Sequence, residues 1–219
     1  MADRKILTRR RVLGAGIATG AAALGGYALL APAFAQSDGG DAPAGEVQEM
    51  ILGSADAPIE VIEYGSFTCP HCARFHEEVY PLLKANYIET GKVKFVYREV
   101  YFDGPGLWAA MIARCGGPER YFGLAELLFK RQSDWALHND VSGVVNGLYQ
   151  IGRIAGLEDD AMKACVTDEA QARLLVANYQ KNVEADGIEG TPTFLINGTK
   201  MSNMPYSEFK EVLDGLLAG

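Results

Sequence analysis

Positive charge is scarce in this chain once its first 35 residues are passed. The 219 residues carry 20 Lys and Arg against 28 Asp and Glu, a formal charge of −8. Five of the bases (Arg4, Lys5, Arg9, Arg10 and Arg11) and one acid, Asp3, lie in residues 1–35. That leaves 15 bases against 27 acids, or −12, in the remainder. So acidic a chain has no basic face to lay on a phosphate backbone, which excludes nucleic acid as its partner. Glycine and proline together make 34 residues without a fixed period, which excludes collagen-like and low-complexity readings. Histidine numbers three and cysteine four, with one Cys-x-x-Cys and no second, so a zinc site built on that pair lacks two ligands. After residue 35 no stretch is long and apolar enough to span a bilayer. With 48% hydrophobic residues and 22% charged, the chain can nonetheless bury a substantial core.

The basic head is followed by a mildly apolar run, Val12 to Ala31, and by Ala33-Phe34-Ala35 before Gln36. Basic region, apolar region and small-x-small site in that order form the pattern of an export signal, with cleavage after Ala35. Thr8-Arg9-Arg10-Arg11-Val12-Leu13 is similar to the twin-arginine export motif. The five glycines Gly14, Gly16, Gly20, Gly25 and Gly26 make the apolar run weaker than a general secretory signal and weigh against an uncleaved anchor. Residues 36–46, rich in Gly, Pro, Ala and Asp, read as a flexible leader. The remainder is expected outside the cytoplasm, in the periplasm.

In such a compartment an even cysteine count favours disulfides. Cys69, Cys72, Cys115 and Cys165 allow three pairings. The short reactive spacing of Cys69-Pro70-His71-Cys72 favours one bridge there and a second, with a different task, between Cys115 and Cys165.

Ile59 to Tyr64 is largely apolar and β-branched and reads as a buried strand, and Lys92 to Arg98 alternates as a second. Between them, apolar residues at helical spacing from Cys72 to about Glu89 predict a helix kinked at Pro81. Strand, helix and strand make a βαβ unit with a parallel pair. From about 104 to 186 helical patterns follow one another: Leu107–Cys115, Glu119–Gln132, Val141–Ala155, Asp159–Cys165 and Glu169–Ala185. Gly116-Gly117-Pro118, Ser133–Asp140 and Gly156 separate them. Thr193–Ile196 returns as a strand, Asn197-Gly198 is a hairpin turn and Thr199–Ser202 pairs back. Tyr206–Leu217 closes as an amphipathic helix. The expected class is α/β, a sheet domain spanning 47–219 with an all-helical subdomain inserted at about 104–186.

The Cys-Pro-His-Cys run follows a strand and opens a helix. There the unpaired backbone N–H groups and the helix dipole favour negative charge. A thiolate at Cys69 is stabilised, its pKa falls, and Cys69 is expected to be the nucleophile. Pro70 suits the first helical position because it has no N–H to leave unpaired. His71 can add positive charge or a hydrogen bond to the sulfur. Cys72, one turn inside, is expected to resolve the mixed disulfide. Stabilising the Cys69 thiolate favours the reduced protein and makes its disulfide a stronger oxidant. An inert bridge that merely staples the helix is the structural alternative.

Ser66-Phe67-Thr68-Cys69-Pro70-His71-Cys72 together with Glu189-Gly190-Thr191-Pro192-Thr193-Phe194 resembles the two signature stretches of the thioredoxin-like superfamily. The helical insertion and the Pro-His dipeptide resemble its DsbA-like periplasmic thiol:disulfide oxidoreductases, over about residues 47–219. The resemblance implies a thioredoxin-like fold and a low-pKa, oxidising Cys69–Cys72 pair. It implies that Thr191-Pro192 is the cis-proline loop facing the active disulfide, where an extended substrate can pair with the backbone. It also implies that Glu63, six residues before Cys69, is a buried acid beneath the site, with a raised pKa and able to relay a proton to or from Cys72. An exposed or salt-bridged strand residue is the alternative for Glu63. Cys115 and Cys165 resemble the second, structural disulfide of some bacterial members, the alternative being two free buried thiols.

One position departs from the family's oxidases, which often carry valine where Thr191 stands, whereas isomerases and reductases frequently carry threonine. The expected function is disulfide donation to unfolded or partly folded exported proteins by a monomer. A membrane-bound redox partner would reoxidise it, and no cofactor or metal is required. An isomerase or reductase kept reduced by a partner is the alternative, and a non-redox metal-binding or interaction module the next. Trp108, Tyr121, Phe122 and Phe129 read as core of the helical block, some rimming an apolar substrate groove. His76 and His138 read as surface or satisfied core histidines, and Glu77, Glu78 and Glu158–Asp160 as solvated helix faces.

Overall fold

A computed structural model describes residues 45–138 and 140–219; the expected export signal (1–35) and residues 36–44 of the expected leader lie outside them. Five strands form one sheet: β1 (Met50–Leu52), β2 (Ile59–Gly65), β3 (Val93–Glu99), β4 (Thr193–Ile196) and β5 (Thr199–Ser202). Their order is β1-β3-β2-β4-β5. Only β2 and β3 run parallel, as the strand–helix–strand pattern requires, and the other pairs are antiparallel. The edge strand β1 escaped the sequence reading because three residues are too few to show an alternation.

Helix α1 (Pro70–Glu78) connects β2 to β3, followed by a single turn, α2 (Tyr80–Leu83), and a π turn over Lys84–Ile88. The long kinked helix expected from Cys72 to Glu89 is therefore a broken one that begins two residues earlier. Pro81 has no N–H to give and its ring crowds the carbonyl four residues back, so regular winding ends at Val79. The helical block then runs through α3 (Gly104–Cys115), α4 (Pro118–Lys130), α5 (Gln132–Ala136), α6 (Val141–Ile154), α7 (Asp159–Val166) and α8 (Glu169–Asp186). Helix α5 lies in the Ser133–Asp140 stretch read as a separator. Its five residues are fixed by Trp135, fully buried with its indole N–H donating to the Leu128 carbonyl at 2.9 Å. Helix α9 (Tyr206–Ala218) closes the chain. Among the described residues no helix is long and apolar enough to cross a membrane.

Strand alternation sends side chains to two faces. Ile62, Tyr64, Val96 and Leu195 pack beneath Tyr179 and Val183 of α8. Val61, Phe95, Phe194 and Ile196 join the larger core under α1 and α9, continuous with the helical block through Tyr121, Phe122 and Phe129. Glu63 shares parity with Val61, so its carboxyl is driven into this aromatic core on the side of α1.

A candidate dithiol active site

Three helices are capped by an aspartate that accepts the N–H three residues on: Asp103 from Gly106, Asp140 from Gly143 and Asp168 from Gln171. Helix α1 has no such oxygen. Cys69 stands at its N-cap position and Pro70 at its first turn, so a sulfur occupies the place where those three helices put a carboxylate. The consequence is a Cys69 thiol pulled down to about 5. A hydrogen bond from the Cys72 thiol is the largest cause, and the backbone N–H groups of Cys72 and His71 help, against the opposing effect of burial. Cys72, fully buried and facing the charges of Cys69 and Glu63, is pushed up strongly, with burial the main cause. Two thiols three residues apart are thus held with opposite preferences. One, with 8% of its surface exposed, ionises readily at the N-terminal end of the helix, and the other holds its proton inside.

The remaining expected residues gather around this pair. Cys69 Sγ lies 3.5 Å from the carbonyl oxygen of Thr191, and the Thr191–Pro192 bond is cis. Pro70 and His71 are exposed beside Cys69; His71 acts on the sulfur through its backbone N–H. Glu63 is fully buried, and burial raises its carboxyl pKa against the lowering effect of His76. Its alternatives, exposed or ion-paired, divide here: the carboxyl is not exposed, and it does have a partner, His76 Nε2 at 2.9 Å. Cys115 and Cys165 are joined at an S–S distance of 2.07 Å, tying α3 to α7.

Two residues around the site had no role in the sequence reading. His76, taken as a surface or satisfied core histidine, is buried next to Glu63 and stacks on Phe129 with ring centroids 4.0 Å apart. Its position four residues after Cys72 puts both on one helix face, and that spacing was the available signal. Gln132 of α5 donates to the carbonyls of Phe67 and Cys69 at 2.7 and 3.0 Å, holding the turn that presents the nucleophile. Nothing local in the sequence marks it, because the contact spans more than 60 residues. Trp108, half-buried, walls a small apolar hollow with Leu148, Tyr149 and Val166, while Tyr121, Phe122 and Phe129 are core. His138 is exposed, and Glu77 and Glu78 are solvated; Asp159 pairs with Arg153. Among the described residues no three His, Cys, Asp or Glu side chains converge as metal ligands.

Residues 46–215 match the family model described as Thioredoxin. A Rickettsia bellii protein named as a protein-disulfide oxidoreductase is 34% identical over 167 residues, which cover 76% of this chain and 63% of that one. The match thus spans less than two thirds of that relative's length. Disulfide bond formation protein D of Bacillus subtilis is 28% identical over 189 residues, covering 83% and 84% of the two chains. Among solved structures, Wolbachia pipientis alpha-DsbA1 superposes with a TM-score of 0.73 at 31% identity, covering 80% of this chain and 93% of its own. Oxidised BdbD of Bacillus subtilis does so with 0.69 at 26% identity, covering 78% and 94%. The chain belongs to the DsbA-like family of the thioredoxin-like superfamily.

Proposed function

We propose that this member of the DsbA-like family is a thiol:disulfide oxidoreductase that donates its Cys69–Cys72 disulfide to cysteines of exported proteins. The single observation that carries the reading is the placement of the two thiols, Cys69 at the N-cap of α1 with its Sγ 3.5 Å from the Thr191 carbonyl and Cys72 fully buried within the helix, which draws Cys69 down and drives Cys72 up. A substrate thiolate attacks Cys69, and the Cys69–Cys72 bond breaks with its electron pair on Cys72. A mixed disulfide then joins substrate to Cys69. A second substrate thiolate attacks the substrate sulfur of that bond and expels Cys69 as a thiolate, the better leaving group for its low pKa. The substrate departs oxidised and both protein cysteines remain reduced. A disulfide-bearing, membrane-bound partner restores the pair.

Pro70 and His71 form the exposed lip that a substrate meets. The Thr191 carbonyl beside Cys69 supports an extended peptide pairing there as an added strand. Cys115–Cys165 serves stability. The basic-apolar-small pattern of residues 1–35 supports export, by the twin-arginine route, with cleavage after Ala35 and residence of the monomer in the periplasm.

The redox equilibrium of the Cys69–Cys72 pair against glutathione tests the direction. An equilibrium constant near those of strong disulfide donors supports donation. One near thioredoxin's favours the second reading, a reductase or isomerase, to which Thr191 before Pro192 lends weight.

A further inference from the structure

Gln132, half-buried at the start of α5, donates through its side-chain Nε2 to two main-chain carbonyls of the turn before α1, Phe67 at 2.7 Å and Cys69 at 3.0 Å. The Cys69 carbonyl also accepts the Ala73 N–H at 3.1 Å, and the Cys69 N–H donates to the Ser66 carbonyl at 3.1 Å. Both lone pairs of the N-cap carbonyl are thus engaged, one by the helix and one by Gln132. The set of that peptide decides where the sulfur stands against the N–H groups of His71 and Cys72. Gln132 is itself held. Trp135 in the same short helix is fully buried, and its indole N–H donates to the Leu128 carbonyl at 2.9 Å. A methyl group on Gly147 of α6 would lie 2.6 Å from Trp135 Cβ, and one on Gly143 would lie 2.7 Å from the His138 ring. Those two glycines are one turn apart, so α5 sits close against α6 and its amide is fixed before any substrate arrives.

We propose that Gln132 is a positioning residue for disulfide exchange: from α5 it grips the Phe67 and Cys69 carbonyls and keeps the Cys69 sulfur set against the first N–H groups of α1. The inference rests on the exchange reaction proposed above, and it gives the inserted helical block a part in that chemistry. The bonds of Gln132 go to the main chain, so it acts through the backbone and moves no proton. Its hold bears on the step that expels Cys69 from the mixed disulfide. Negative charge then develops on the sulfur, and donors already in place stabilise it without having to turn towards it. A turn free to rotate its peptide planes between Phe67 and Cys69 would have to reorganise as the charge arrives. The Thr191 carbonyl reaches Cys69 from the loop before β4, apart from α5, so the loss should fall on kcat and not on KM.

The test is Q132M, which keeps the length of the side chain and removes its donors. It changes no charge, so Cys72 and His71 on α1, Glu63 on β2 and the Arg131–Asp134 pair beside Gln132 stay as they are. Loss of one charge-assisted contact to the thiolate is expected to raise the Cys69 ionisation midpoint by about one pH unit. Oxidation of a dithiol peptide is expected to show kcat about 3-fold lower, with KM unchanged. Q132K, whose ammonium restores a donor at similar reach, is expected to keep the midpoint at or below that of the unmodified protein and to recover kcat. A Q132M protein that only melts earlier, with midpoint and kcat unmoved, would overturn the proposal, as would a Q132K protein that behaves like Q132M. Should Q132M fail to fold, the side-chain amide protons of Gln132 in the unmodified protein decide. Protection from solvent exchange in the disulfide and dithiol forms alike is expected, and exchange as fast as that of an exposed glutamine contradicts the grip. An unmodified protein that cannot oxidise the peptide at all sinks the proposed function instead, while the midpoint in Q132M still reads the role of Gln132.

Discussion

The sulfur of Cys69 lies 3.5 Å from the main-chain carbonyl oxygen of Thr191, although 122 residues separate them. This approach joins the start of α1 to the loop before β4 and puts the main chain of that loop next to the reactive sulfur. Cys69 keeps 8% of its surface exposed beside that loop and Cys72 keeps none, so an incoming thiolate reaches Cys69 first. C69S is therefore expected to have no disulfide-donating activity toward a reduced model protein. C72S is expected to accumulate a mixed disulfide on Cys69, visible by mass under non-reducing conditions. Activity in C69S, or adducts on Cys72 when Cys69 is present, would reverse the assignment.

Gly65 is required by contact, not by backbone conformation. A methyl group there would lie 2.7 Å from the Tyr97 ring, 2.8 Å from its hydroxyl and 2.9 Å from Glu63 Oε1. G65A must push Glu63 or Tyr97 aside, an overpacking that costs about 1–3 kcal/mol. Denaturant unfolding should show that loss, and dithiol oxidation should slow with it because the acid beneath Cys72 has moved. Full activity and full stability in G65A would mean that the Glu63 carboxyl has slack the structure does not show.

The lowered Cys69 thiol has a consequence for stability with a definite sign. Its value in the folded dithiol protein is about 5 against an ordinary 9. Ionisation therefore favours the folded dithiol form fully above pH 9, progressively less from 9 towards 5, and not at all below about 5. The disulfide form has no such group. Glu63, raised by burial, slopes the other way, but it does so in both forms and largely cancels in the comparison. The dithiol form should gain stability relative to the disulfide form as pH rises from 5 to 9, measured by paired denaturant titrations. A difference that is flat across that range would contradict it.

Cys115 and Cys165 close a loop with a sequence separation of 50. On the chain-entropy model, opening it costs about 4 kcal/mol. C115S/C165S should lose stability of that order in thermal or denaturant unfolding while the Cys69–Cys72 pair still turns over. Abolished turnover in a folded double variant would give the bridge a part in the chemistry.

What was legible in the sequence follows from where each signal resides. The parallel pair β2/β3, the hairpin at Asn197-Gly198 and most of the helices rest on local periodicity and turn residues, and the chain shows them directly. The Cys69 environment was legible too, because a strand followed by Cys-Pro fixes the helix start. Helix α5 was not, since five residues give no period and Trp135 is held by tertiary burial. Nor were the partners Glu63–His76 and Gln132–Cys69, which come together only once sheet, α1 and α4–α5 have packed. A lone histidine on a helix is chemically silent until the strand beneath it is known.

The most direct measurement is the ionisation of Cys69 in the reduced protein, followed by thiolate ultraviolet absorbance and by the pH dependence of alkylation at that residue. A midpoint near 5, with Cys72 unreactive through neutral pH, is the expected result. A midpoint near 9, the value of an ordinary thiol, would contradict a sulfur stabilised at the N-cap of α1, and with it the proposed disulfide donation.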